Sequence, residues 1–220
     1  MPSKAYMRLG KNLETVVRLQ GTFYDAKKVR RMEGKGRGRA AFDHITRSAI
    51  VFLVSSFEVY CEELLRECGA VQVKSVKKAD ELPSEVKETL EQYVLEKNQP
   101  LRLCDDGWKS VYNEIVEKEI NALNTPSVRH LQRLFKILVG LPENGIESMP
   151  IDVKKLDDLI QFRGQITHKV KADKYVTIEC VDEYMDCIRG LTIGMDKLLL
   201  KYMRNRYKMK KVPWKSVYKK

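Results

Sequence analysis

Apolar residues recur along this chain at helical spacings, and no alternation of apolar and polar positions persists beyond about five residues, so the pattern predicts helices throughout. A first helix is expected over Lys4 to Met32, weakened at Gly10 and Gly21 and broken by the glycine cluster that follows. The second, Phe42 to Cys68, is the most hydrophobic, with Gly69 as its natural stop. Between 70 and 125 the chain turns more polar, and helices are expected near 84 to 98 and 108 to 122, as an inserted set of short elements. Thr125-Pro126 reads as a helix start: a capping hydroxyl, then proline in the first turn. Val128, Leu131, Leu134, Phe135 and Leu138 follow on one face, and Gly140-Leu-Pro142 closes that helix. A loop over 142 to 150 precedes a helix from Asp152 to Val170, and a last one runs from Thr177 or Asp182 to Tyr207. The fold class is all-α, with one domain over 1–203 and a basic tail over 204–220.

Charge changes this picture at two places. The chain carries 41 basic and 30 acidic residues, a net +11, and the excess is concentrated. Arg204 to Lys220 holds eight bases and no acid; Lys27 to Arg39 holds seven against Glu33 alone. Such clusters attract phosphate backbones without reading sequence, which makes Lys35, Arg37 and Arg39, and Lys208, Lys210 and Lys211, candidate RNA contacts. They also fit a solvated loop and tail. Tyr202, Tyr207, Trp214 and Tyr218 alternate with the terminal cations, and can stack on bases or pack the tail onto the body or a second protomer. Gly34-Lys35-Gly36 lacks the spacing of a phosphate-binding P-loop.

Other chemistries are set aside. The five cysteines, at 61, 68, 104, 180 and 187, form no Cys-x-x-Cys and have no histidines at zinc-ligand spacing, so no metal and no cofactor is expected. Asp105-Asp106 and Asp157-Asp158 point apart on a helix. There is no run of about 18 uncharged apolar residues. The expectation is a soluble, cytoplasmic chain without a membrane partner.

One helix carries a charge where an apolar side chain belongs. With Leu156 at zero and 100° per residue, Leu159, Ile160 and Thr167 form a stripe, and Arg163 falls inside it at about 340°. A guanidinium there needs a carboxylate, a phosphate or a wet cleft. His168 lies about 140° round from Arg163 and one and a half turns along, within reach of a shared site. A fixed positive charge beside a group titrating near neutral pH suits RNA cleavage without metal, the imidazole moving protons and the arginine holding the phosphate. The bland alternative is a structural arginine pair and an incidental histidine. On the second helix Glu58 is enclosed by apolar neighbours such as Phe57, Cys61 and Leu65. It can orient Arg163, contribute to the site, or pair elsewhere, for example with Arg47. His44 and His130 read as surface residues.

Arg163-Gly-Gln-Ile-Thr-His168 resembles the Arg-x4-His motif of the HEPN superfamily, and three further stretches resemble its RiboL-PSP-HEPN branch. These are Ser48 to Leu65, an apolar helix carrying Phe57-Glu58-x-Tyr60; Leu123-Asn-Thr-Pro126 with the helix ending Leu138-Val-Gly-Leu141; and Leu156 to Phe162 leading into the motif. The likeness spans about 45 to 170. It implies a HEPN-like helical bundle that forms a homodimer, with two Arg-x4-His helices facing across one RNA-cleaving cleft. It also implies a catalytic role for Arg163, His168 and Glu58, and an endoribonuclease acting as toxin or effector in prokaryotic toxin–antitoxin, anti-phage or stress systems, with an antitoxin or defence protein as partner. Where many such motifs place a polar residue after the arginine, this chain has Gly164. That departure keeps open a non-catalytic HEPN module binding RNA, nucleotide or a partner protein.

Overall fold

In a computed structural model of the chain, described here over residues 1–34, 39–123, 127–148, 152–169 and 175–216, eight α-helices and no strand occur among the described residues. α1 (Lys4–Met32) starts on Ser3, whose Oγ accepts from the Tyr6 amide. Its first turn also meets Glu67 of α2 (Asp43–Ser75), whose carboxylate accepts from the amides of Lys4 and Ala5 at 3.0 and 3.1 Å. A negative group there offsets the positive end of the helix dipole. Phe23 packs edge-on against Phe42, so α1 and α2 run antiparallel.

The two large helices close into a bundle through α8 (Ile178–Arg206), capped by Thr177. Tyr60 Oη donates to the Thr192 carbonyl and to Asp196 Oδ1, and Tyr207 Oη donates to Gln72 Oε1. α8 therefore runs parallel to α2 and antiparallel to α1, to which it is also tied through Gln20 and Asp182. Asp196 is fully buried, and burial raises its pKa against the lowering effect of the Ser3 hydrogen bonds.

α2 continues past Cys68 to Ser75, so the stop expected at Gly69 does not occur. Gly69 is needed for a close approach instead: a Cβ there would lie 3.1 Å from Tyr112 Oη. A single glycine costs a helix about 1 kcal/mol. The next turn is nonetheless built into the fold, where Gln72 is fully enclosed and donates to the Leu138 carbonyl.

The polar middle of the chain is structural. α3 (Ser84–Glu96) and α4 (Gly107–Asn121) bury Val86 and Leu90, and Trp108, Val111 and Tyr112, in the same core. α5 (Val128–Leu134) is capped by Ser127, whose Oγ accepts from the His130 amide; the start expected at Thr125-Pro126 lies outside the described residues. It widens into a π-turn over Phe135–Val139 and ends on Gly140 at φ 72°. That widening leaves carbonyls for side chains from three other helices: Gln72 and Tyr112 donate to Leu138, and Tyr202 Oη donates to Gly140 at 2.5 Å. The loop expected over 142–150 contains a short helix, α6 (Glu143–Glu147). α7 (Val153–Lys169) then lies against α2 and α8, burying Leu156 and Leu159.

The segment set off by charge as a tail is docked as far as residue 216. Lys208 at φ 47° turns the chain back, Trp214 is 4% exposed with Nε1 donating to the Asp196 carbonyl, and the Lys215 amide donates to the Met1 carbonyl. Tyr207 and Trp214 are thus packed onto the body; Tyr218 lies outside the described residues.

Candidate functional site

Among the proposed residues, α2 and α7 bring Glu58 and Arg163 together. Glu58 is half-buried between Phe57, Cys61 and the neighbouring helix, and its carboxyl pKa is raised. Desolvation is the larger cause and Glu62 adds to it, while the positive charge of Arg163 pulls the other way. Burial wins at this carboxyl despite an arginine near enough to act on it. Glu58 Oε1 and Arg163 Nε are both buried and make no hydrogen bond. Buried polar atoms without partners are uncommon because each forfeits its hydration. The sequence wheel placed Arg163 in an apolar stripe, and its partial burial in α7 agrees with that reading.

Arg47 pairs with Asp43, one turn earlier in α2. On a helix, Asp43 and Arg47 fall about 60° and 20° from Glu58, so the three share one face. Asp43 Oδ1 is a further buried oxygen without a hydrogen bond. Sequence reading missed this pair, although the acid-to-arginine spacing of four was its signal.

His168 sits in the last turn of α7, five residues after Arg163, about 7.5 Å along the axis. Its side chain lies outside the described residues. Just before it, Thr167 Oγ1 donates to the carbonyls of Arg163 and Gly164, committing its hydroxyl to its own helix. A Cβ built on Gly164 would meet nothing within 4 Å, so no steric demand of the described residues explains glycine there. His44 is exposed at the start of α2, and His130 is partly exposed on α5.

The basic candidates fall into two groups along the chain. Lys35 and Arg37 lie outside the described residues, as does the side chain of Arg39, whose backbone opens the turn before α2. Lys208, Lys210 and Lys211 are exposed and follow Tyr207, which touches Gln72 near the far end of α2. α2 spans 33 residues, about 50 Å, so the Arg39 backbone and the exposed Lys208, Lys210 and Lys211 lie towards opposite ends of that helix.

Among the described residues, no helix is long and apolar enough to cross a membrane. Searches of the curated proteins and of the solved structures find no match. A family model does match, RiboL-PSP-HEPN, over residues 31–201. That range takes in the end of α1, all of α2 to α7, and most of α8, and so extends beyond the stretches that carried the resemblance. With most of its length inside that match, and an all-helical bundle to go with it, the chain belongs to the RiboL-PSP-HEPN family.

Proposed function

We propose that the protein is a metal-independent endoribonuclease whose site is built on α2 and α7. The observation that carries this reading is the approach of Glu58 and Arg163 across two packed helices, each keeping a buried polar atom unsatisfied. A structural ion pair would be expected to close; a phosphate held at Arg163 would supply the acceptor that its Nε lacks. In this mechanism the ribose 2′-hydroxyl attacks its own phosphorus, the 5′-oxygen leaves, and a 2′,3′-cyclic phosphate remains. His168 takes the proton from the nucleophile or gives one to the leaving oxygen, Arg163 stabilises the pentacoordinate phosphorane, and Glu58 positions Arg163. As family members of this type imply, two copies of α7 face each other across the cleft of a homodimer. The biological setting is a toxin or effector of a prokaryotic toxin–antitoxin, anti-phage or stress system, restrained by a partner protein.

The test is RNA cleavage in EDTA, with product ends identified by mass, for the wild type and for His168→Ala. The reading requires cyclic-phosphate ends and loss of cleavage in the variant at unchanged helical content. Cleavage that survives the substitution removes the assignment.

Gly164 favours a second reading, a HEPN module that binds RNA or a partner without cutting. Tight RNA binding by the wild type with no turnover under any of these conditions selects it.

A further inference from the structure

Two lysine- and arginine-rich stretches that are far apart in the sequence meet at one end of the bundle. The first is Lys74, Lys77 and Lys78, three exposed bases in five residues at the end of α2. The second is the end of α8 and its return, where Arg204, Arg206, Lys208, Lys210 and Lys211 are all exposed. Because α2 and α8 run parallel, their C-terminal ends coincide. Direct hydrogen bonds join them: Arg206 donates to the Glu81 carbonyl at 2.9 Å and Tyr207 to Gln72 at 2.7 Å. Asp80 and Glu81 lie among these eight bases in the sequence, and the fold adds Asp105 and Asp106, which line the same shallow pocket as Lys77 and Lys78. The left-handed Lys208 and the bond from the Met209 amide to the Arg204 carbonyl fold the return tightly back. Trp214, anchored under Asp196, holds it there, so these cations project from an ordered surface.

We propose that this end of the bundle is a binding surface for the phosphate backbone of single-stranded RNA, separate from the Glu58–Arg163 level and feeding it. The proposal rests on the ribonuclease reading for its purpose, but its binding surface stands on the charge and topology just described. Eight bases against four acids leave an excess of cations that suits a polyanion, and pairing of this kind carries no sequence preference. Lys74 lies 16 residues beyond Glu58 in α2, about 24 Å along the axis. At about 3.4 Å of rise per stacked nucleotide, a strand held there needs at least about seven nucleotides to reach the Arg163 level.

The experiment measures affinity against salt for a fifteen-nucleotide RNA fully 2′-O-methylated, which cannot be cleaved by 2′-hydroxyl attack. The proteins are the full chain, the triple variant K74Q/K77Q/K78Q, and the triple variant K208Q/K210Q/K211Q. All six positions are exposed, so circular dichroism should match wild type. Each lysine that no longer neutralises a phosphate makes the slope of log K against log salt shallower by about 0.7, so each triple variant is expected to reduce the slope by about 2. With cleavable RNA, both variants raise KM for a fifteen-mer at unchanged kcat and leave a five-mer unaffected. A slope moved only by the C-terminal variant, by neither, or no binding by the wild type overturns the proposal. So does loss of binding to phosphatidylserine vesicles in both variants with RNA binding unchanged, which would assign the surface to a membrane. Slope changes without turnover retain the surface and sink the nuclease reading; turnover with unmoved slopes does the reverse.

Discussion

Replacing Gly164 with alanine should stabilise this protein, unlike most substitutions beside a candidate site. Gly164 lies inside α7, well away from either end of Val153–Lys169, and a Cβ built on it meets no described atom within 4 Å. The substitution therefore adds no clash, and it removes the excess backbone freedom that glycine has in the unfolded chain. In a helix interior that difference is about 0.8–1.0 kcal/mol, with about 0.4 kcal/mol as a lower bound from substitutions of this kind in folded proteins. For a chain of this size each kcal/mol shifts the midpoint by about 2–4 °C, so a rise of about 1–4 °C is expected. Thermal unfolding followed by circular dichroism at two protein concentrations would measure it, with urea denaturation as a check on the free energy. A fall in midpoint at both concentrations would refute the reasoning, because something within the protomer would have to occupy the space that Gly164 leaves. A fall confined to the higher concentration would locate the obstruction in a second copy.

Three other outcomes follow from the fold and the site. For Glu58, burial raises the folded pKa, so its contribution to stability is fully present below the ordinary glutamate value of about 4.3 and is lost as pH rises through the raised value. Glu58→Gln should therefore gain stability relative to wild type between pH 4 and pH 7.5 in urea titrations; a relative loss would mean that Arg163 outweighs burial. Gly140→Ala combines a left-handed φ of 72° with a Cβ only 2.2 Å from Pro83 Cβ, and is expected to destabilise by about 2–4 kcal/mol, read as a lower urea midpoint. Trp214→Ala should cost about 3–5 kcal/mol and speed tryptic cleavage around Lys210 and Lys211. For the same reason, a chain ended before Arg204 would lose part of its core along with its charge, and neutralising substitutions are the cleaner probe of RNA binding.

Much of the site was legible in sequence because an α-helix converts spacing into direction. Arg163 interrupts the stripe formed by Leu156, Leu159 and Ile160, and Glu58 interrupts that of Phe57, Cys61 and Leu65, so each announces itself as a charge in an apolar face. Their mutual approach was one option among several, because helical angles do not tell which face of α2 meets which face of α7. Packing of α2 against α7 selected it.

The same division holds for the fold. Local signals determined the helices themselves: Ser3 and Thr177 cap, Gly140 stops, and α1 spans Lys4–Met32 as its period predicts. Gly69 shows where local signals lose. The helix runs on through it to Ser75, and its missing side chain is what lets Tyr112 come close. The charge clusters divide in the same way. Sequence alone identified 204–220 as basic, but composition has no direction. Only the parallel course of α2 and α8, and a tryptophan seated under Asp196, decided that the charge of Arg204 to Lys211 lies folded beside Lys77 and Lys78, at the far end of α2 from the Arg39 backbone.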